Sequence, residues 1–416
     1  MVELPDRLDE NVWSWRRADG LRVVAEKMET VRSVTLGIWV EHGGAHDAES
    51  EQGLAHLLEH LVFKGTRARS AKQIALEIER VGGSLDAYTS HDHTGYLARV
   101  PHERLDLAID ILTDLVYRPA LRGEDLELER PVILEELAAV EDSPEQMAFE
   151  LHGQQLYGAH PYGRSILGAA DTVARVDVER LRELHGSAYV PGNCVVAAAG
   201  RLDSDQLLGA LRRHLPRPSV PPRAELSQPE PRSSTARVVE RSGGRQSHLL
   251  VGATSIPHSD PLRYALILVE TALGAGMSSR LFQRIREELA LAYTVYSFHA
   301  FYRAAGHVGA YLGTRPEAVE QARDELLAEF RDVAENGLTP AEIESTKLQL
   351  KGQLLLGLES TVSRMQRLAG LSLYREPYVT LDELAERIDR VTLEEIHEAA
   401  AFFHPDRQDV LELRPV

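Results

Sequence analysis

The sequence predicts an α+β protein built from two duplicated α/β domains, each a sheet packed by helices, joined by a proline-rich linker. Three observations carry this expectation. The chain has 416 residues, too many for one ordinary core, so two domains of roughly 200 residues are expected. Six prolines, at 216, 218, 221, 222, 229 and 231, cluster near the midpoint. Such a stretch cannot continue a helix or a central strand and reads as a semi-rigid spacer. The halves also resemble each other. ARVDVERLRELHGSAYVPGNCVVAAAG (174–200) aligns with DRVTLEEIHEAAAFFHPDRQDVLELRP (389–415) at an offset of 215, and LLEHLVFKG (57–65) with LVETALGAG (268–276) at an offset of 211. Two matches at nearly one offset indicate an internal duplication. The expected division is 1–215, a linker over 216–235, and 236–416.

In chain order, 21–41 reads as two strands with a break around 27–32. GLAHLLEHLVF carries an apolar helical stripe at Leu54, Leu57, Leu58, Leu61 and Val62. Residues 70–81 predict a second amphipathic helix, opened by Ser70 as N-cap and closed by Gly82 and Gly83. A strand–turn–strand follows over 84–100, then a helix over 102–118. The stretch 123–141 is rich in helix formers, with Pro131 placed near its beginning. Further helices are expected at 145–157 and 176–187, and a strand followed by a turn at 193–200.

Composition narrows the function. Hydrophobic residues make up 43% and charged residues 26%, as in a soluble globular chain. No apolar run reaches the 18 or more residues that span a bilayer, so no membrane association is expected. The opening MVELPDRLDENVWSW lacks a basic head followed by an apolar run, and the cytoplasm is the expected compartment. The single cysteine, Cys194, excludes an intrachain disulfide and a cysteine-built zinc site. The net charge is −18, from 64 acidic and 46 basic residues. That charge would repel a phosphate backbone, which argues against nucleic acid as partner. It is compatible with basic peptide substrates, although surface carboxylates also simply serve solubility.

The chemistry concentrates in GLAHLLEHLVFKGT (53–66). His56 and His60 are four apart and share one helix face, with Glu59 on its flank. Two neutral imidazoles at this spacing can close on one divalent ion, and the adjacent carboxylate can take a proton from water beside it. H-x-x-E-H is the inverse of the zinc-peptidase pattern H-E-x-x-H. A helix carrying two histidines by chance has the same spacing, so the pattern requires a third ligand. Glu136 is the best candidate by position, with Glu129 seven residues earlier on the same face as a partner for a ligating imidazole. Glu135 points about 100° away around that helix. His91 and His93 compete as well, and spacing does not decide among them. In the second half Ile267 and Thr271 stand where His56 and His60 stand in the first, so only the first half could hold the metal.

The runs GLAHLLEHLVFKGT, GGSLDAYTSHDHTGY and ERPVILEELAAVEDSPE resemble, in order and separation, the pitrilysin, insulysin and mitochondrial-processing-peptidase family, and the resemblance spans nearly the whole chain. It implies a processing-peptidase-like half clamshell and zinc-dependent peptide hydrolysis. One Zn²⁺ would be held by His56, His60 and Glu136, with Glu59 as general base and Glu129 supporting the site. It also implies that the strand of Asp86, Ala87, Tyr88 and Thr89 pairs with the substrate backbone, Asp86 standing where relatives often carry Asn. Without the resemblance these residues read as an ordinary edge strand.

GAGMSSRLFQRIREELALAYTVYS (274–297) matches a further element of that family. By this resemblance Arg286 and Tyr293, seven apart, serve the developing oxyanion and the substrate. Taken alone, they are a helix charge and a core aromatic. Both sets lie in one chain, so no unlike partner is required. Resemblance to the short two-domain branch of the family, whose members pair to enclose a chamber, implies a homodimer with Arg286 and Tyr293 reaching the neighbouring subunit's site. It implies a zinc endopeptidase for unfolded peptides or leader segments as the leading function. The alternatives are the catalytic subunit of a heterodimeric leader-processing peptidase and a non-catalytic peptide-binding or structural relative.

Overall fold

The computed structural model describes residues 6–217 and 226–416. Pro218, Pro221 and Pro222 of the expected linker lie outside the described residues; its described remainder has no helix or strand. The chain forms two compact units, and each contains one sheet.

The first unit carries a seven-stranded sheet of β1 (Asp6–Asp9), β2 (Val12–Arg16), β3 (Arg22–Lys27), β4 (Ser33–Val40), β5 (Ser84–Thr89), β6 (Thr94–Pro101) and β7 (Cys194–Gly200). Their order is β1-β2-β3-β7-β4-β6-β5. Central β7, CVVAAAG, is buried along its whole length, so it is apolar on both faces rather than alternating. Val196 and Ala198 face a large core with the helices Leu54–Val62 and Leu105–Tyr117. Val195, Ala197 and Ala199 face the other way, onto Met365, Leu368 and Ala369. That second cover is the helix Thr361–Leu373, drawn from late in the chain. Thr35 Oγ1 and Thr361 Oγ1 join it to β4 at 2.8 Å.

The second unit carries β8 (Ala236–Arg241), β9 (Ser247–Ser255), β10 (Ala292–Phe301), β11 (Gly306–Thr314) and β12 (Asp409–Pro415), in the order β10-β11-β9-β12-β8. The duplication extends to topology. In the first sheet β7 runs parallel to β3 and antiparallel to β4, which leads through β6 to the edge strand β5. In the second β12 runs parallel to β8 and antiparallel to β9, which leads through β11 to the edge strand β10. Leu249, Val251, Val308 and Ala310 face one core, and Leu250, Tyr311, Leu411 and Leu413 face Ala148 on the helix Pro144–Tyr157.

The units differ from a simple cut at the proline-rich stretch. Residues 138–164 belong to the second unit and 356–380 to the first. The reason is burial. A sheet whose central strands are apolar on both faces needs two helical covers, and each half of the sequence supplies the outer cover of the other's sheet. Pro131 also differs from expectation. It lies in the interior of a twenty-residue helix, Gly123–Asp142, which runs through it at the cost of one backbone hydrogen bond.

His152 on the exchanged helix Pro144–Tyr157 is fully buried, and its Nε2 donates weakly to the Asp409 carbonyl at 3.4 Å. Burial pulls its pKa from 6.5 to about 4. The unfolded chain therefore binds the extra proton between those values, and stability falls as pH is lowered through that window. His152 is expected to contribute up to about 1.4 kcal/mol per pH unit to this slope. Chemical denaturation of wild type and His152→Leu between pH 7 and 4 measures it; equal slopes would remove the assignment.

Candidate metal centre

The helix Leu54–Val62 buries Leu54, Leu57, Leu58, Leu61 and Val62, as its stripe requires. Its start is fixed by a side chain from outside the helix. Asp47 Oδ2 accepts from the backbone N–H groups of Gly53 and Ala55, both at 3.1 Å, and satisfies donors a helix N-terminus otherwise leaves open. Gly53 has φ +91°, and a Cβ there would lie 2.5 Å from the Leu167 carbonyl oxygen, so the position tolerates only glycine.

From this helix His56 and His60 project toward Glu136 on the helix Gly123–Asp142. Each Nε2 lies 3.6 Å from Glu136 Oε2, and all three ligand atoms fall within 4.8 Å of one another. These separations are too long for hydrogen bonds. They match the edge of a tetrahedron around a cation with ligand distances of about 2.0–2.2 Å, whose edges are roughly 3.3–3.6 Å. The donor set of two imidazoles and one carboxylate is that of a catalytic zinc site. Among the described residues no other group of three or more His, Cys, Asp or Glu meets this spacing.

The histidines sit in different surroundings. Burial, followed by the neighbouring His60, lowers His56 from 6.5 to about 4, keeping it neutral and able to ligate. His60 Nδ1 and Glu129 Oε1 are 2.9 Å apart, which leaves Nε2 as the free lone pair. Glu129 is buried and its other oxygen pairs with Lys64. Sequence reasoning missed Lys64, although it stands one turn beyond His60.

Glu59 Oε2 accepts from Thr89 Oγ1 at 2.6 Å. Its pKa is raised, chiefly by burial, against the lowering effects of the Thr89 hydroxyl and His60; Glu136 and Asp86 add to the rise. Thr89 ends β5, the edge strand that among the described residues pairs only with β6, and Asp86, Ala87 and Tyr88 precede it there. The Asp86 carboxylate accepts from the Ala87 N–H at 2.9 Å. Tyr88 turns its hydroxyl to Trp39 Nε1 (2.9 Å) and His93 (3.3 Å). Of the rival third ligands, Glu135 is exposed, and neither His91 nor His93 joins the cluster.

Arg286 and Tyr293 belong to the second unit, and the structure brings them together. The guanidinium lies 4.3 Å from the Tyr293 ring centroid and donates to the Tyr293 carbonyl at 2.9 Å. Tyr293 is 75% exposed, so it is not a core aromatic. Arg286 lies on a π-helical turn, Phe282–Glu288, and Tyr293 on the edge strand β10.

In the second unit Glu270 occupies the place of Glu59 at the 211 offset. It is buried and takes hydrogen bonds from Ser297 Oγ and His299, both on β10. Ile267 and Thr271 stand in the histidine positions of that helix, Arg263–Gly274.

Comparison with known proteins gives the family. Residues 22–170 match the insulinase family, peptidase family M16, and residues 175–350 match the peptidase M16 inactive domain. An uncharacterized zinc protease of Streptomyces coelicolor is 37% identical over 95% of this chain and 86% of its own length. One of Bacillus subtilis is 34% identical over 91% and 92%. A peptidase M16 inactive domain from Pseudomonas fluorescens shares the fold with a TM-score of 0.90 at 23% identity, covering 98% of each chain. A protease from Helicobacter pylori does so at 0.90 and 21%, over 99% and 100%. With two family matches in sequence order and relatives aligned along nearly its whole length, the chain belongs to the insulinase family of peptidases, family M16.

Proposed function

We propose that the protein is a zinc-dependent endopeptidase that hydrolyses unfolded peptides or leader segments. The observation that carries this is that His56 Nε2 and His60 Nε2 each lie at a tetrahedral-edge distance from Glu136 Oε2, beside the partly buried carboxylate of Glu59. A zinc ion held by these three residues would polarise the scissile carbonyl and bring the pKa of a water from 15.7 to about 7. Glu59 takes the proton of the attacking water and passes it to the leaving amine. Glu129 holds His60 in the ligating tautomer. The open edge of β5 pairs with substrate backbone, which gives affinity without demanding a sequence.

Arg286 and Tyr293 act on the substrate and on the oxyanion, Tyr293 through its hydroxyl. Two copies enclose a chamber in which this pair serves the site of the neighbouring subunit. Support for a homodimer rather than a heterodimer is that one chain carries both residue sets.

Metal analysis is expected to find one zinc per chain, with chelation abolishing cleavage of a generic unfolded peptide. Glu59→Gln should keep the zinc and lose about 10²–10⁴-fold in kcat, whereas His60→Ala and Glu136→Ala should lose the metal. Peptide cleavage at the wild-type rate by the Glu59→Gln variant would eliminate the base role.

Tyr293→Phe and Arg286→Ala should each lower kcat by about 10²–10³-fold at unchanged zinc content. Wild-type rates in both variants would return the pair to a structural role.

The pH profile gives an independent reading. Glu59 must be ionised to accept a proton, so activity falls on the acid side through its raised pKa. Thr89→Val removes a hydrogen bond that stabilises the ionised form. The acid limb of kcat/KM should therefore move to higher pH; a limb that stayed in place or moved down would contradict this.

A further inference from the structure

The first unit contains a second cavity, of about 300 Å³, that the metal centre does not use. Its wall comes from β2 and β3 and from the helix Ser204–His214, with Trp15, Leu208, Leu211 and Leu215 as its apolar surface. The size lies at the lower end of small-molecule sites, which are mostly apolar with a few placed polar groups.

Charge indicates what it takes. In a chain of net charge −18, the charged residues lining this cavity are all arginines among the described residues. Arg17 is held by Asp19 at 2.8 and 2.9 Å. Arg16, Arg212 and Arg217 are exposed and have no carboxylate partner among the described residues. Arg212 also suits the C-terminal end of its helix.

We propose that this cavity binds a monocarboxylate with an apolar chain, the chain lying against Leu208, Leu211 and Leu215 and the carboxylate meeting the arginines. An apolar wall selects the chain. Guanidinium groups select a carboxylate over an alcohol, because the charge-assisted hydrogen bond is about twice as strong as a neutral one. The site is independent of the peptidase reading, since its lining shares no residue with the metal cluster.

Isothermal titration calorimetry of the full chain with decanoate tests it. A saturable 1:1 isotherm is expected, with decanol at least about tenfold weaker. Arg16→Glu, Arg212→Glu and Arg217→Glu, all on exposed side chains, should together abolish decanoate binding while leaving the thermal unfolding transition in place. Acetyl-leucyl-leucine identifies the source: binding there with decanoate excluded assigns a peptide C-terminus, and the reverse assigns an acyl chain. No saturable binding of either carboxylate, decanol binding as tightly as decanoate, or binding that survives the triple charge reversal overturns the proposal.

Discussion

The Glu129 carboxylate is the constraint on which the centre depends. It reaches from the helix Gly123–Asp142 to His60 and Lys64, so one buried group ties two segments far apart in sequence. A metal site of this kind has to hold its donors close together before any cation arrives, although like-signed lone pairs gain nothing from approaching one another. Here the cost is met by side chains that are not donors. Glu129 orients one imidazole, Asp47 anchors the helix that carries both histidines, and apolar burial along the stripe fixes that helix against the sheet.

The duplication shows the same frame used twice. In both sheets a helix lies beside an edge strand, and a glutamate on the helix accepts from hydroxyl or imidazole groups of that strand. In the first unit the helix adds two histidines. In the second the corresponding positions are Ile267 and Thr271, so that helix carries no histidine pair beside Glu270. What remains there is a latch between helix and β10, the strand that presents Tyr293. The glutamate–strand contact is thus a feature of the frame, while the histidines distinguish the two copies.

Much of this was legible in the sequence, because local chemistry wrote it. H-x-x-E-H requires a helix to have meaning, and the apolar stripe at 54, 57, 58, 61 and 62 supplies one. The strands at 22–27, 33–40 and 194–200 announced themselves by β-branched and apolar runs. The carboxylate that meets the two imidazoles was another matter. Spacing left Glu135, Glu136, His91 and His93 open, because only the fold decides which of two adjacent helix residues faces a partner 76 positions away. The exchange of helices 144–157 and 361–373 was not legible either. Which sheet face a helix covers depends on which face is left apolar, and a chain read in order pairs neighbours. The first two strands, 6–9 and 12–16, were missed because DRLD and VWSWR are short and partly charged.

The burial of the individual side chains follows from these placements. The side chains of His56 and Glu129 are 8% and 6% exposed, whereas that of Glu136 is 43% exposed. Peptide hydrolysis needs a dry wall, where electrostatic interactions are strong, and an open side through which a large substrate can approach. A site buried on all sides would exclude its substrate, and one exposed on all sides would leave Glu59 with an ordinary carboxylate pKa. The arrangement found lies between these limits. His56 and Glu59 are set into the core side, and Glu136 and the edge of β5 face outward. The raised pKa of Glu59 and the accessibility of that edge therefore have one origin, the position of the helix Leu54–Val62 at the rim of the sheet rather than over its centre.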